Sequence, residues 1–240
     1  MRAVAKLTKR SARQETGLFL LEGPQSAREV LLHRPETLVE MYATPTAMER
    51  HPDVRDAARD AGIDVQFTTE AVLDAMADTV TPQGIVAVAR QSPTSIRDVF
   101  AHAPRLVAIC EEVRDPGNLG TIIRAADAAG ADAVILTGRT VDLYNPKVVR
   151  ATTGSLFHLP VAVGVDLATA VERAHSAGLR VIAADVGGED FLASRHVLAE
   201  PTAWLFGNEA RGLDDEALAH ADMALRLPIY GSAESLNLAT

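Results

Sequence analysis

The stretch Asp115-Pro116-Gly117-Asn118-Leu119-Gly120-Thr121-Ile122-Ile123-Arg124-Ala125-Ala126-Asp127-Ala128-Ala129-Gly130 decides how the second half of this chain folds. One apolar run, 106–110, precedes it and another, 133–136, follows, so the segment reads as strand, turn, helix, strand. Pro116-Gly117 makes the turn, Asn118 can cap the helix through its side-chain oxygen, and Gly130 can end it in the left-handed conformation. Leu119, Ile122, Ile123, Ala126 and Ala129 recur at helical spacing and form the buried stripe. Arg124 falls nearly opposite the middle of that stripe and points away from the sheet. Taken alone, Asn118 is an ordinary cap and Arg124 an ordinary solvated charge near Asp127.

Outward from this unit, the alternation of short apolar strands with amphipathic helices continues to the end of the chain. Strands are expected at 106–110, 133–136, 161–163, 180–184, 203–206 and 224–227, and helices at 119–129, 147–153, 167–177 and 215–219. That pattern predicts an α/β domain whose parallel sheet is covered on both faces. Upstream, Gln91-Ser92-Pro93-Thr94-Ser95 is polar and proline-broken and reads as a linker. Residues 1–91 therefore form a first domain, 92–104 the linker and 105–240 the second domain. The first begins with a basic arm, 1–16, carrying Arg2, Lys6, Lys9, Arg10 and Arg13 without an acid in its first thirteen residues. A short helix over 4–13 is expected there. Strands at 18–23, 38–43, 63–67 and 84–89, with helices at 25–33, 53–61 and 71–76, complete a small α/β/α unit.

Composition narrows the chemistry. The net charge of −9 argues against a generic nucleic-acid binder, so any contact with phosphates must come from local clusters. The arm is one such cluster, with a solvated tail as its alternative, and Lys147 and Arg150 on the helix after Asn145-Pro146 are another. The single cysteine, Cys110, lies in an apolar strand, which suits a reducing cytoplasm and no disulfide framework. No apolar run approaches the ~20 residues of a membrane span. The seven histidines lack H-E-x-x-H spacing and no C-x-x-C exists, so no metal site is expected. Gly207 and Gly212 have a P-loop-like spacing, but Leu213-Asp214 stands where Lys-Ser/Thr is required. The polar groups left near the strand ends are Asn118, Arg124, Glu209, Ser235 and Asn237, where an open parallel sheet binds its ligands.

Two further stretches, Leu205-Phe206-Gly207-Asn208-Glu209-Ala210-Arg211-Gly212-Leu213 and Leu227-Pro228-Ile229-Tyr230-Gly231-Ser232-Ala233-Glu234-Ser235-Leu236-Asn237, join the opening one in a fixed order. Together the three resemble the motifs of the SpoU (TrmH) ribose methyltransferases of the SPOUT superfamily. The first domain looks like the small, ribosomal-protein-like RNA-binding domain that precedes the SPOUT domain in ribosomal-RNA members. The resemblance implies S-adenosylmethionine-dependent methylation of a ribose 2′-hydroxyl, in large-subunit (23S) ribosomal RNA. Transfer RNA as substrate, or a non-catalytic RNA-binding or ribosome-assembly factor on the same fold, are the alternatives.

Carried over residue by residue, the resemblance puts Asn118 and Arg124 at the ribose, with Glu209, Ser235 and Asn237 completing the catalytic group. Gly207, Leu227, Ile229 and Leu236 correspond to contacts of the methyl donor. Gly207 in particular would let the backbone approach a bulky ligand. Lys6, Lys9, Arg10, Arg13, Lys147 and Arg150 are the candidate RNA contacts. Arg124 acts either as a general base or as an electrostatic clamp; Glu209 holds Arg124 or touches RNA. The family also implies a C-terminal trefoil knot and a homodimer through the SPOUT domain. Relatives run past the Ser-Leu-Asn motif into a long helix, of which 237–240 would supply at most one turn.

Overall fold

The computed structural model describes residues 2–233 and 235–238. The first stretch folds as α1 (Arg2–Lys6), α2 (Arg10–Thr16), β1 (Leu18–Glu22), α3 (Pro24–His33), β2 (Leu38–Ala43), α4 (Pro45–Arg50), α5 (Pro52–Asp60), β3 (Val65–Phe67), α6 (Glu70–Asp74) and β4 (Ile85–Arg90). Then come α7 (Ile96–Phe100), β5 (Leu106–Glu111), α8 (Pro116–Ala128), β6 (Ala133–Thr137) and α9 (Pro146–Thr152). The remainder is β7 (Val161–Val165), α10 (Leu167–Ser176), β8 (Arg180–Asp190), β9 (Thr202–Phe206), α11 (Asp215–Ala219) and β10 (Met223–Arg226).

The chain packs as two compact units, and the first is discontinuous: it holds the residues up to Ser92 together with Asp142–His158. Its sheet has the order β1-β4-β2-β3, with β4 antiparallel to β1 and β2, and β2 parallel to β3. In β4, Ile85 to Ala89 are all buried, as a central strand covered on both faces requires. The arm is part of this core. Val4 and Leu7 pack with Leu20, Leu73, Met76, Val86 and Val88, so the solvated-tail alternative does not hold. The expected single helix over 4–13 is two helices separated at Leu7-Thr8-Lys9. Gly17, at φ 65°, then turns the chain into β1 in a conformation that favours glycine.

The linear reading assigned 142–158 to the second domain, but these residues pack in the first unit. The Tyr144 ring lies 4.7 Å from that of Phe19, and its hydroxyl accepts the Ser92 N–H at 2.9 Å. Pro146, Val148, Val149 and Thr152 of α9 are buried, and α9 rests on β1. Local spacing predicted the helix correctly and could say nothing about its partner.

The second unit, Pro93–Val141 with the residues from Leu159 on, contains a six-stranded sheet of order β10-β8-β9-β5-β6-β7. Every pairing in it is parallel. Val107, Ile109, Ala203 and Leu205 face one core with Ala170, Val171 and Ala174 of α10 and Ala217 of α11. The alternate residues of β5 and β9, Ala108, Trp204 and Phe206, face a cavity on the side of α8. Val99 of α7 also joins the core, so the expected linker 92–104 is a folded part of this unit, capped where the Ser95 side chain accepts the Asp98 N–H. Successive strands β5, β6 and β7 progress towards one edge, whereas β9, β8 and β10 lie on the other side of β5. The order reverses between β5 and β9, and ligands of open α/β sheets bind beyond the carboxyl ends of strands at such a reversal.

Candidate active site

Two loops meet at that reversal. Beyond β5 the backbone passes through Glu112, at φ 51°, and reaches Asp115. Asp115, not Asn118, caps α8: its Oδ1 accepts the Asn118 N–H at 2.8 Å, and Pro116 occupies the first turn, where a missing N–H costs nothing. Asn118 stands within the first turn, half-buried. Leu119, Ile122, Ile123 and Ala126 are buried as the periodicity required; Ala129 is exposed, beyond the last full turn. Arg124 is exposed, as expected from its place opposite the stripe.

Beyond β9, the second motif closes on itself. Asn208 N–H donates to the Gly212 carbonyl at 3.0 Å, and Gly212 N–H returns the bond at 2.8 Å. The Asn208 side chain accepts from Ala210 and Arg211 N–H and donates to the Glu112 carbonyl at 2.9 Å. A Cβ on Gly207 would lie 2.5 Å from the Gly212 carbonyl carbon. Glycine is therefore needed for the chain's own close approach.

Glu209 makes the bridge between the two loops. Its carboxylate accepts the Asp115 N–H at 2.9 Å and the Arg114 N–H at 3.1 and 3.2 Å. The expectation that it holds Arg124 is thus corrected: its acceptors serve the main chain at the mouth of α8. These bonds involve an ionised acceptor and are stronger than neutral ones. The same charge, after burial, helps push the Cys110 thiol up to about 12.

The third motif lines a cavity of about 480 Å³. Leu227, Ile229, Ser235, Leu236 and Asn237 form part of its wall, opposite Ile122, Ala125 and Ala126 of α8, with Asp185, Trp204 and Phe206 beside them. The volume suits a small organic ligand, and the lining combines apolar side chains with a few polar groups. Gly207, Asn118 and Arg124 are not among its lining residues. The structure thus gathers five of the expected cofactor and catalytic positions at once, ties Glu209 to α8, and leaves Asn118 and Arg124 on α8 outside both groupings.

One cluster escaped the sequence reading. Glu112 Oε2 takes the Nη2 atoms of Arg211 at 2.7 Å and Arg114 at 3.0 Å, and Arg139 Nε approaches Oε1 at 3.8 Å. Partial desolvation would raise its carboxyl, but the two nearer guanidinium groups hold it below the usual range. Adjacent Glu111 behaves oppositely. Burial, reinforced by Glu112 and Asp214 and opposed by Thr137, raises its carboxyl, and Oε2 has no hydrogen-bond partner. The available signal was three arginines placed just past strand ends or in the second motif.

The expected RNA contacts divide in two. Lys6, Lys9, Arg10 and Lys147 are exposed. Arg13 is 2% exposed, and its guanidinium binds Asp142 Oδ2 at 2.6 and 3.0 Å and the carbonyls of Leu7 and Thr8. Arg150 pairs with Glu22 at 3.0 Å and Asp78 at 3.1 Å. Both are removed from the phosphate-binding set, because their donors already hold buried or half-buried carboxylates.

Residues 105–240 match the family model described as the SpoU rRNA methylase family. The chain belongs to this family. Residues 20–95 match the RNA 2′-O ribose methyltransferase substrate-binding model, so both parts of the SpoU architecture are present. A Bacillus subtilis relative named 23S rRNA (guanosine(2553)-2′-O)-methyltransferase is 35% identical over 98% of this chain and 89% of its own length. Among solved structures, the AdoMet-bound rRNA methyltransferase from Sinorhizobium meliloti superposes with a TM-score of 0.84 at 32% identity, covering 99% of this chain and 88% of that one. The SpoU methyltransferase AviRb from Streptomyces viridochromogenes, in complex with AdoMet, gives 0.84 at 28% identity over 99% and 92%. The six-stranded parallel domain is accordingly a SPOUT methyltransferase fold preceded by a substrate-binding domain. Among the described residues, no helix is long and apolar enough to cross a membrane.

Proposed function

We propose that this SpoU protein transfers a methyl group from S-adenosylmethionine to a ribose 2′-hydroxyl of large-subunit ribosomal RNA. The observation that carries the reading is the Glu209 bridge: it fixes the second motif against the mouth of the first at the sheet's reversal. The relatives' names support the substrate class, and the AdoMet complexes of similar structures support the cofactor.

The cavity beside α8 fits that cofactor in size and character. Leu227, Ile229 and Leu236 would hold it with apolar walls and main-chain groups, and Asp185, Ser235 and Asn237 offer polar partners. Gly207 contributes by shaping the loop. The bound sulfonium supplies an already activated methyl group, so the protein's task is alignment of the acceptor oxygen with it. A guanidinium is a poor proton acceptor, so Arg124 holds the neighbouring phosphate and stabilises negative charge developing on the ribose oxygen. Asn118, Ser235 and Asn237 orient the sugar, and Glu209 positions the loop from which α8 starts. Lys6, Lys9, Arg10 and Lys147, joined by Arg114, Arg139 and Arg211, contact the RNA backbone.

The reading also includes a homodimer formed through the second domain, a trefoil-knotted C-terminal segment and a cytoplasmic location. Insertion of β9 between β5 and β8 supports the knot, as does the close passage at Gly188, where a Cβ would meet the Ala224 carbonyl carbon at 2.5 Å. The test is methyl transfer from labelled S-adenosylmethionine to purified 23S rRNA and tRNA, followed by mapping of the 2′-O-methyl nucleotide. Label confined to one 23S position supports the proposal. Label in tRNA alone changes the substrate, and cofactor binding without transfer to either RNA points to a non-catalytic factor.

A further inference from the structure

Away from the methyltransferase motifs, the first unit brings three ligand-type side chains together around one point. Glu29 and His33 are one turn apart on α3, so both project from the same face. His158 belongs to the segment that returns to this unit, in the turn after α9. Its ring lies 4.4 Å from that of His33, centroid to centroid. Both imidazoles direct Nε2 at a single atom, Glu29 Oε2, at 3.0 Å from His158 and 3.4 Å from His33. The three ligand atoms all lie within 4.8 Å of one another.

We infer that Glu29, His33 and His158 form a binding site for a divalent transition-metal ion, zinc by preference, that fastens residues 142–158 to α3. Tetrahedral zinc sites have metal–nitrogen and metal–oxygen bonds of about 2.0–2.2 Å, which sets neighbouring ligand atoms roughly 3.3 Å apart. Two of the three edges of this triangle already have nearly that length. Imidazole and carboxylate together suit zinc better than the hard, oxygen-seeking calcium or magnesium ions.

The surroundings are those of a built site. The second oxygen of Glu29, Oε1, accepts from Gln25 Nε2 at 2.8 Å and Arg28 Nη1 at 2.9 Å. These bonds fix the plane of the carboxylate and leave Oε2 turned towards the histidines, the kind of orienting contact that metal-binding carboxylates have. Asp53 Oδ2, 3.4 Å from Arg28 Nε, offsets part of the nearby positive charge. Glu29 is buried, whereas His33 and His158 are partly exposed, so an ion has a way in and a water can complete the coordination. Gly154 is fitted to the same carboxylate. At φ 107° it lies so close that a Cβ would stand 2.2 Å from Glu29 Cγ. The turn carrying His158 can therefore settle on Glu29 only with glycine there.

No periodicity could have disclosed this site, because its third member lies far along the chain from the other two. Its role is structural: two ligands come from α3 and one from the returning segment, so a bound ion cross-links the two pieces of the discontinuous unit. Without an ion, each Nε2 serves as a hydrogen-bond or ion-pair partner of the same oxygen, and that simpler arrangement is what the experiment must separate.

The experiment uses the untagged full-length chain, stripped with chelator and dialysed against Zn²⁺ or Co²⁺. The expected result is about one ion per chain, with visible ligand-field absorption of tetrahedral Co²⁺ and a higher unfolding temperature on zinc addition. His158→Ala, His33→Ala and Glu29→Gln should each weaken binding more than about 100-fold and abolish the zinc-dependent rise. Gln25→Ala, which removes only an orienting bond, should cost about 10–100-fold. Far-UV circular dichroism without metal separates loss of the site from loss of the fold. Failure to retain zinc, or equal retention by wild type and His158→Ala folded alike, would overturn the proposal and leave a histidine pair on a carboxylate.

Discussion

The two units use arginine in opposite ways. In the first, Arg13 and Arg150 turn inward to Asp142, Glu22 and Asp78, joining distant parts of one unit. In the second, Arg114, Arg139 and Arg211 surround Glu112 while remaining largely exposed, beside the loops of the first two motifs. A run of basic residues is thus a poor guide to where phosphate binds. What matters is whether the guanidinium already has a buried partner: the inward groups stabilise the fold, and the outward ones are available to a polyanion.

The sharpest break of this contrast is Arg13→Ala. It strands Asp142 and two carbonyls in a buried site and should lower unfolding free energy by about 3–5 kcal/mol, measured by urea titration. An unchanged midpoint would remove Arg13 from the structural class. Next comes Arg124→Ala, expected to reduce methyl transfer by about 10²–10³-fold while the unfolding midpoint stays put. Arg124→Lys should recover little, since a single ammonium cannot reproduce the planar fork. A variant that lost activity only by losing stability would place Arg124 with the structural group.

A smaller effect is expected from Arg211→Ala or Arg139→Ala. Each should weaken RNA binding and make the slope of log K against log salt shallower by about 1, with no change in stability. An unaltered slope would mean that the outward cluster serves the loops and not the RNA. The smallest concerns Glu111, whose carboxyl is raised above its ordinary 4.5 by burial. The folded chain then binds more protons than the unfolded one between those two values, so stability falls as pH rises through that interval. Glu111→Gln should flatten this dependence and raise the melting temperature at neutral pH by about 1–2 °C. A steeper profile would show that the ionised form has an unrecognised partner.

Much of the fold was legible because it is local. Strands β1, β2, β4, β5, β6 and β9 follow from apolar runs, and α8 from its stripe. α4 was missed because Thr44-Pro45 reads as a turn, although Thr44 caps a helix by accepting the Ala47 N–H. Asp115 was overlooked as the cap in favour of Asn118 because both are good capping residues, and only backbone angles separate them. The motif residues were found by resemblance, but their partners were not. Glu209 bonds main-chain amides, which carry no side-chain signature, and Gly207 admits a neighbouring turn of backbone. Long-range placement, such as Tyr144 on Phe19, depends on a fold that no short window encodes.

The return of residues 142–158 also dictates an order of assembly. On the ribosome, the amino-terminal sheet can form once β4 has emerged, yet β1 still lacks the helix that rests on it. That unit can be finished only after α9 and the turn behind it are synthesised, by which time β5 and β6 of the other unit already exist. Cutting the gene at the proline-marked junction would not isolate a free-standing module; it would release one short of its last piece, with apolar surface bare and prone to aggregation. The two halves of this enzyme are distinct in space but must be made together.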